Sequence, residues 1–174
     1  MALNHFLQEV ERRAYRMAAI ATGDEDEALD IVQDAMLKLA TKYQDKSAND
    51  WPPLFHRILQ STIKDWYRRR KVRTGIMRLF GLGEVEQEYG ADAYAGNVHE
   101  QPEKKHQTSS TVTELDRAVR GLPLRQQQVF LLREMEGLDV KQTAAAMEIT
   151  AGSVKTHYSR AVHSLREQLE GHWP

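Results

Sequence analysis

The stretch GSVKTHYSRA, residues 152–161, carries Lys155, His157 and Arg160 together with Ser153, Thr156 and Ser159, and no acid. Cations and hydroxyls on successive helical turns donate hydrogen bonds to phosphate oxygens and base edges, so the chemistry on offer is nucleic-acid recognition rather than bond making. In a chain with 25 acidic residues, none lies between Glu148 and Glu167. On a helical wheel Lys155, Thr156, Ser159 and Arg160 share a little over a third of the circumference, and His157 lies off that arc. The competing reading is a bundle helix with a solvated basic face.

A second concentration of cations lies further forward. Between Lys64 and Arg78 there are seven basic residues against Asp65 alone. The spacing predicts a helix from about Pro53 to Arg73, with Phe55, Leu59, Thr62, Ile63 and Trp66 as its core stripe. Arg57, Gln60, Ser61, Lys64, Tyr67, Arg68 and Lys71 spread over the opposite face. Such a face can neutralise phosphates, and its tyrosine can stack on an unpaired base. Solubilising charge explains the same spacing equally well.

A third set of residues suits a protein partner. The helix expected from about Glu25 to Tyr43 puts Leu29, Val32, Met36, Leu39 and Tyr43 on one stripe. Asp30, Gln33, Asp34, Leu37 and Thr41 share a second face, a leucine framed by acids and amides. Spacing alone leaves this face open between a docking patch and a solvated surface with one tolerated leucine.

Catalytic chemistry finds no support in the sequence. The seven histidines lack metal-ligand spacing, no phosphate-cradling glycine loop precedes a helix, and no nucleophile stands in a motif, so neither an enzyme nor a metal or other cofactor is expected. The absence of cysteine excludes disulfides, iron–sulfur clusters and thiolate zinc sites, and fits a reducing, cytoplasmic setting. No apolar run approaches the roughly 20 residues that span a bilayer, and Glu9, Glu11, Arg12 and Arg13 interrupt the apolar residues of the N-terminus. Neither membrane insertion nor export is expected.

The elements that must position these residues are all helical, with no period-two strand pattern. A first helix is expected over residues 5–21, and Gly23-Asp24 is expected to stop it and start the second. From Gly75 to Thr111 periodicity fails. The segment from Leu79 to Thr111 holds six acids against Lys104 and Lys105, so its charge is opposite to that of the helix before it. A second helical unit begins near Val112: one helix ending at Gly121-Leu122-Pro123, another over Arg125–Glu136, a short one capped by Asp139 and running through Met147, and a last one capped by Thr150 and running to about Leu169. The final pair has helix-turn-helix spacing. Ala144 and Ala145 are the small residues expected where these helices cross, with Val140, Met147, Ile149, Val154 and Ala161 filling between them. Ser153, Lys155, Thr156, His157, Ser159 and Arg160 are then left for the outside. The division expected is residues 1–74, a linker at 75–111, and residues 112–174.

The segment GLPLRQQQVFLLREMEGLDVKQTAAAMEITAGSVKTHYSRAVHSLRE resembles region 4 of bacterial RNA polymerase sigma factors of the sigma-70 family, in the extracytoplasmic-function group. AYRMAAIATGDEDEALDIVQDAMLKL resembles regions 2.1 to 2.2, and LFHRILQSTIKDWYRRRKVR resembles regions 2.3 to 2.4. The segments follow the family's order, with its linker between them. The resemblance implies a factor that binds core RNA polymerase and directs initiation at promoter DNA by recognising −35 and −10 elements and helping to melt the latter. It implies that Asp30, Gln33, Asp34 and Leu37 dock on the clamp helices of the largest catalytic subunit, and that region 4 meets the flap of the second largest. Arg57, Ser61, Lys64, Tyr67, Arg68 and Lys71 become candidates for the −10 element, and Lys46, Ser47 and Asn49 for reading a flipped base. Ser153, Lys155, Thr156, His157, Ser159 and Arg160 become candidates for the −35 element. An anti-sigma factor is a further implied partner, and the acidic linker would enter polymerase channels that otherwise hold nucleic acid.

The chain departs from the family pattern at three places. Ser61 stands where asparagine is usual, Gln142-Thr143 where Glu-Ile is usual, and Glu148 where the turn usually has glycine. A non-glycine at that turn must accept a left-handed backbone or a different turn. A promoter sequence cannot be borrowed for so divergent a chain. The alternative to the sigma reading is a helix-turn-helix regulator acting as a dimer without polymerase, which leaves the Asp30 face and the acidic linker unexplained.

Overall fold

Gly23 and Asp24 behave as their residue types dictate. Gly23 adopts φ +69 and donates its N–H to the Ala19 carbonyl at 2.9 Å, which ends a helix that began near the N-terminus. The Asp24 carboxylate then accepts from the N–H groups of Asp26 and Glu27, and Glu25, Asp26 and Glu27 place negative charge at the positive end of the next helix. The computed structural model describes residues 2–79 and 110–170. They form α1 (Ala2–Thr22), α2 (Glu25–Lys42), α3 (Trp51–Leu79), α4 (Ser110–Arg120), α5 (Leu124–Glu134), α6 (Val140–Met147) and α7 (Ala151–Gln168), an all-α fold. The acidic segment expected to link the halves falls mostly on residues 80–109, outside the described residues.

Helices α1 to α3 make one unit around Val10, Ala14, Met17, Val32, Ala35, Leu39, Phe55, Leu59 and Ile63, all nearly or wholly buried. Phe6 meets the Phe55 ring edge-on at 6.0 Å, an arrangement that suits the ring quadrupoles. The core stripe of α2 is rotated from the one the spacing predicts. Ala28, Ile31, Val32, Ala35 and Leu39 face inward, whereas Leu29 is 43% exposed. The two alanines let α1 and α2 approach closely, and this rolls Leu29 out towards solvent. Helix α3 is longer than expected at both ends and runs through Gly75 to Leu79. IMRL thus extends the helix, and Phe80 lies outside the described residues.

Helices α4 to α7 make the second unit around Val119, Leu122, Val129, Leu132, Val154, Ala161 and Leu165. Two of its turns are set by caps. Asp139 accepts the Gln142 N–H at 2.7 Å, and the Gln142 side chain accepts the Asp139 N–H at 2.9 Å. This capping box explains the glutamine at 142, because a neutral amide closes it as well as a glutamate does. Thr150 caps α7 by accepting from the Ser153 N–H. Between the caps Glu148 sits at φ 55, ψ 43, so the turn keeps its left-handed geometry despite lacking glycine. The residues expected at the helix crossing need correction: Thr143 and Ala146 are buried there, while Ala145 is exposed and Ala144 half-buried. The inward stripe of the short α6 lies one residue round from the one expected.

The two units pack against each other, α6 along α3 and both α4 and α5 against α1.

Candidate nucleic-acid interface

Helix α7 owes its orientation to one face. Val154, His157, Ala161 and Leu165 recur at three- and four-residue intervals and are buried. The neighbouring Tyr158 stacks on Phe130 of α5 with centroids 6.4 Å apart, lies 5.2 Å from the Arg133 guanidinium and donates its hydroxyl to Glu134. That hydrogen bond, then burial, raises the Tyr158 pKa, so the phenol stays a neutral donor. With this side fixed, Lys155, Thr156, Ser159 and Arg160 are exposed together, and Ser153 is half-buried beside its cap. His157 must be corrected: it is only 7% exposed, because it falls three residues after Val154 and four before Ala161 on the buried stripe.

The loop before α3 is drawn tight by two turns. The Tyr43 carbonyl accepts the Lys46 N–H at 3.1 Å and the indole N–H of Trp51 at 3.2 Å, and the Ser47 carbonyl accepts the Asp50 N–H at 2.9 Å. The Ser47 hydroxyl also donates to the Asp50 carboxylate at 2.9 Å. Lys46, Ser47 and Asn49 are left exposed at the entrance to α3.

Along α3 the polar face divides. Arg57, Ser61, Lys64, Arg68 and Lys71 are exposed. Arg57 meets Glu148 of the second unit at 3.0 Å, and Arg68 meets Asp65 at 3.6 Å. Tyr67, expected on the open face, is half-buried and donates its hydroxyl to the Ala21 carbonyl at the end of α1. Gln60 is 6% exposed, and its amide donates to Gln128 at 2.9 Å. Both depart from the sequence expectation because α1 and the second unit cover part of α3, which a single-helix wheel cannot foresee. Trp66 is half-buried as a core-side residue; its indole N–H donates to Glu27 at 2.9 Å and Arg70 lies 5.3 Å from its ring.

On α2 the second face is open. Asp30, Gln33, Asp34, Leu37 and Thr41 are all exposed. Leu37 is 62% exposed, and Lys38 bridges to Asp34 at 2.9 Å. Leu29 lies a turn before Gln33 and two turns before Leu37, so it adds a second apolar residue that the wheel had assigned to the core.

Three buried glutamines were not singled out in the sequence, although QQQ at 126–128 was their signal. Gln126, Gln127 and Gln128 are 8%, 3% and 0% exposed. Gln127 donates to the Ile20 carbonyl at 3.4 Å and Gln128 to the Met17 carbonyl at 3.4 Å, and Arg120 donates to the Ala19 carbonyl at 3.2 Å. Helix α1 has no basic residue in its last turn, where carbonyls lack intrahelical partners. The second unit supplies part of that cap. Glu136 was likewise missed: its side chain, 4% exposed, lies between Arg13 of α1 at 2.9 Å and His56 of α3 at 3.2 Å. Burial pushes its pKa up, but the hydrogen bonds and charges of His56 and Arg13 outweigh burial and hold the carboxyl below the usual range.

Among the described residues no group of histidines and acids could hold a metal ion, and no helix is long and apolar enough to cross a membrane.

Two family models match the chain: sigma-70 region 2 over residues 3–73 and sigma-70 region 4 over residues 113–165. The RNA polymerase sigma-E factor of Streptomyces antibioticus is 30% identical over 150 residues, covering 84% of this chain and 73% of the relative. The ECF RNA polymerase sigma factor SigE of Mycolicibacterium smegmatis is 25% identical over 160 residues, covering 92% of this chain but only 58% of the relative's length. The fold is similar to that of the sigma factor RpoE from Bartonella quintana, solved in complex with the anti-sigma factor NepR, with a TM-score of 0.65, 22% identity and 96% of each chain covered. Matching models on both helical units, in the order the sequence has them, together with these relatives, establish that the chain belongs to the sigma-70 family, in its extracytoplasmic-function group.

Proposed function

We propose that the chain is a sigma factor that binds core RNA polymerase and directs promoter-specific initiation. The observation that carries this reading is the exposure, on one chain of this family, of three surfaces of different chemistry. Helix α7 offers Lys155, Thr156, Ser159 and Arg160, with Ser153 at its entry, to the −35 element. Loop residues Lys46, Ser47 and Asn49 with Arg57, Ser61, Lys64, Arg68 and Lys71 of α3 serve the −10 element, where phosphate neutralisation and capture of unpaired bases hold the strands apart. Asp30, Gln33, Asp34 and Leu37, with Leu29 beside them, dock on the clamp helices of the largest polymerase subunit. The flap of the second largest subunit receives the α4–α7 unit. The protein contributes binding energy and strand separation, and the bond making belongs to the polymerase. An anti-sigma factor is a further partner, a reading supported by the Bartonella relative having been crystallised with one.

The test is binding of the purified protein to bacterial core polymerase, followed by run-off transcription from genomic fragments. Tight binding and new start sites are the expected result. Specific binding to DNA by the protein alone, with no affinity for core, would overturn the proposal in favour of a stand-alone regulator. Asp34→Lys should weaken core binding without altering the helical content measured by circular dichroism.

A further inference from the structure

On the wheel of α7, Tyr158 falls between the buried stripe and the exposed arc, one turn after Lys155. Its ring stacks on Phe130 with centroids 6.4 Å apart and lies 5.2 Å from the Arg133 guanidinium, and its hydroxyl donates to the Glu134 carboxylate. These partners all stand at the C-terminal end of α5. Arg133 reaches further, donating to the Leu138 carbonyl at 3.1 Å, directly before the Asp139 cap that starts α6. The end of α5 therefore grips both members of the helix-turn-helix, α6 at its entry and α7 through Tyr158.

The buried stripe by itself leaves the roll of α7 soft. Apolar burial has no direction, and Val154 and Ala161 on that stripe are small. A hydrogen bond is directional, and one from a phenol to a carboxylate is of the stronger kind. Its effect on the Tyr158 pKa is upward, ahead of burial, so the proton that makes the bond stays on the phenol through neutral pH. Precision matters because of what α7 carries. A roll of about 20° displaces a side-chain tip, roughly 5–6 Å from the helix axis, by about 2 Å. Such a shift breaks a hydrogen bond to a base edge, whose length varies by only about 0.5 Å. A flexible lysine or arginine can still follow a phosphate.

We propose that Tyr158, with Glu134 and Arg133, is a set of positioning residues that determines −35 specificity. It fixes the roll of α7 at which Lys155, Thr156, Ser159 and Arg160 meet base edges, without itself touching DNA. The inference rests on the reading of α7 as the −35 helix. It separates two quantities that a contact residue changes together. Removing Lys155 takes away both a cation and a reader of bases. Loosening the roll leaves every cation in place for phosphates, so affinity for mismatched DNA is kept while preference among sequences falls.

In the test, the full chain assembled with core polymerase is offered promoters randomised over the −35 element, and the bound sequences are recovered. Affinities for the best sequence, its single-base variants and a scrambled element are then measured by fluorescence anisotropy. Tyr158→Phe keeps the ring and loses only the hydroxyl, and Glu134→Ala removes the acceptor. Each should lower the preference for the best sequence over its single-base variants about five- to tenfold, while affinity for the scrambled element changes less than about twofold. The two substitutions together should do no more than either alone, and Glu134→Gln, whose amide oxygen still accepts, should keep most of the preference. Equal loss on every sequence, with a lowered Tm by circular dichroism, would assign Tyr158 to stability alone and overturn the proposal. Unchanged preference in both single variants, beside a changed one in Lys155→Ala, would also overturn it. Unchanged preference in all three would overturn the reading of α7, and the inference with it.

Discussion

Helices α3 and α7 are the two helices whose cations are proposed to meet DNA, and the structure treats them oppositely. Helix α7 buries one narrow stripe and turns its remaining hydroxyls and cations outward, because Tyr158 and the Thr150 cap fix its roll and its start. Helix α3 is held from two sides, by its own unit and by the other, and part of its polar face is spent on internal contacts: Gln60 on Gln128, Tyr67 on α1, Arg57 on Glu148. The difference shows that basic residues on a helix do not by themselves make a binding surface. What matters is whether neighbouring elements claim them first.

The sharpest way to break this comparison is to remove what supports α3 while leaving α7 intact. Phe55 is wholly buried, so Phe55→Ala should cost about 3–5 kcal/mol of stability in the first unit; chemical denaturation would measure it. A smaller effect separates the chemistries of the two helices. Lys155→Ala or Arg160→Ala should cost about 1–3 kcal/mol at particular −35 positions and relax base preference there, whereas Lys64→Ala should weaken all sequences alike and flatten the salt dependence. Binding to a panel of single-base promoter variants would check both, and uniform loss from the α7 variants would assign them to phosphate only. Asp139→Ala removes the capping box and should destabilise the second unit by about 1 kcal/mol, lowering −35 affinity modestly.

The smallest effect at neutral pH is that of titrating the buried Glu136 carboxylate. Although burial raises it, the Glu136 pKa is held below its ordinary value by His56 of α3 and Arg13 of α1, so its ionised form stabilises the packing of the two units above pH 4.5, the ordinary value. That contribution is lost only as the pH falls through the lowered pKa. Interdomain distances should therefore stay short at neutral pH and lengthen only in acid.

Much of this protein is written in its sequence because the governing interactions are local. Gly23 announces a helix end through its left-handed backbone, and Asp24, Asp139 and Thr150 announce helix starts through side chains bonding to backbone two or three residues away. The same locality makes Lys155, Thr156, Ser159 and Arg160 legible as one arc, and Asp30, Gln33, Asp34 and Leu37 as another. The failures share a cause. Leu29 and Ala145 sit at the margin of a stripe, where the approach of a second helix decides which side is buried, and His157 looked available only until the buried stripe of α7 was seen to include it. Gln60 reads as a surface residue because polar side chains usually are, and nothing in the helical period marks the glutamines at 126–128 or Glu136 as buried. Tertiary structure alone pairs them across 68 residues between Gln60 and Gln128 and 123 between Arg13 and Glu136, and no helical period encodes a partner at that distance.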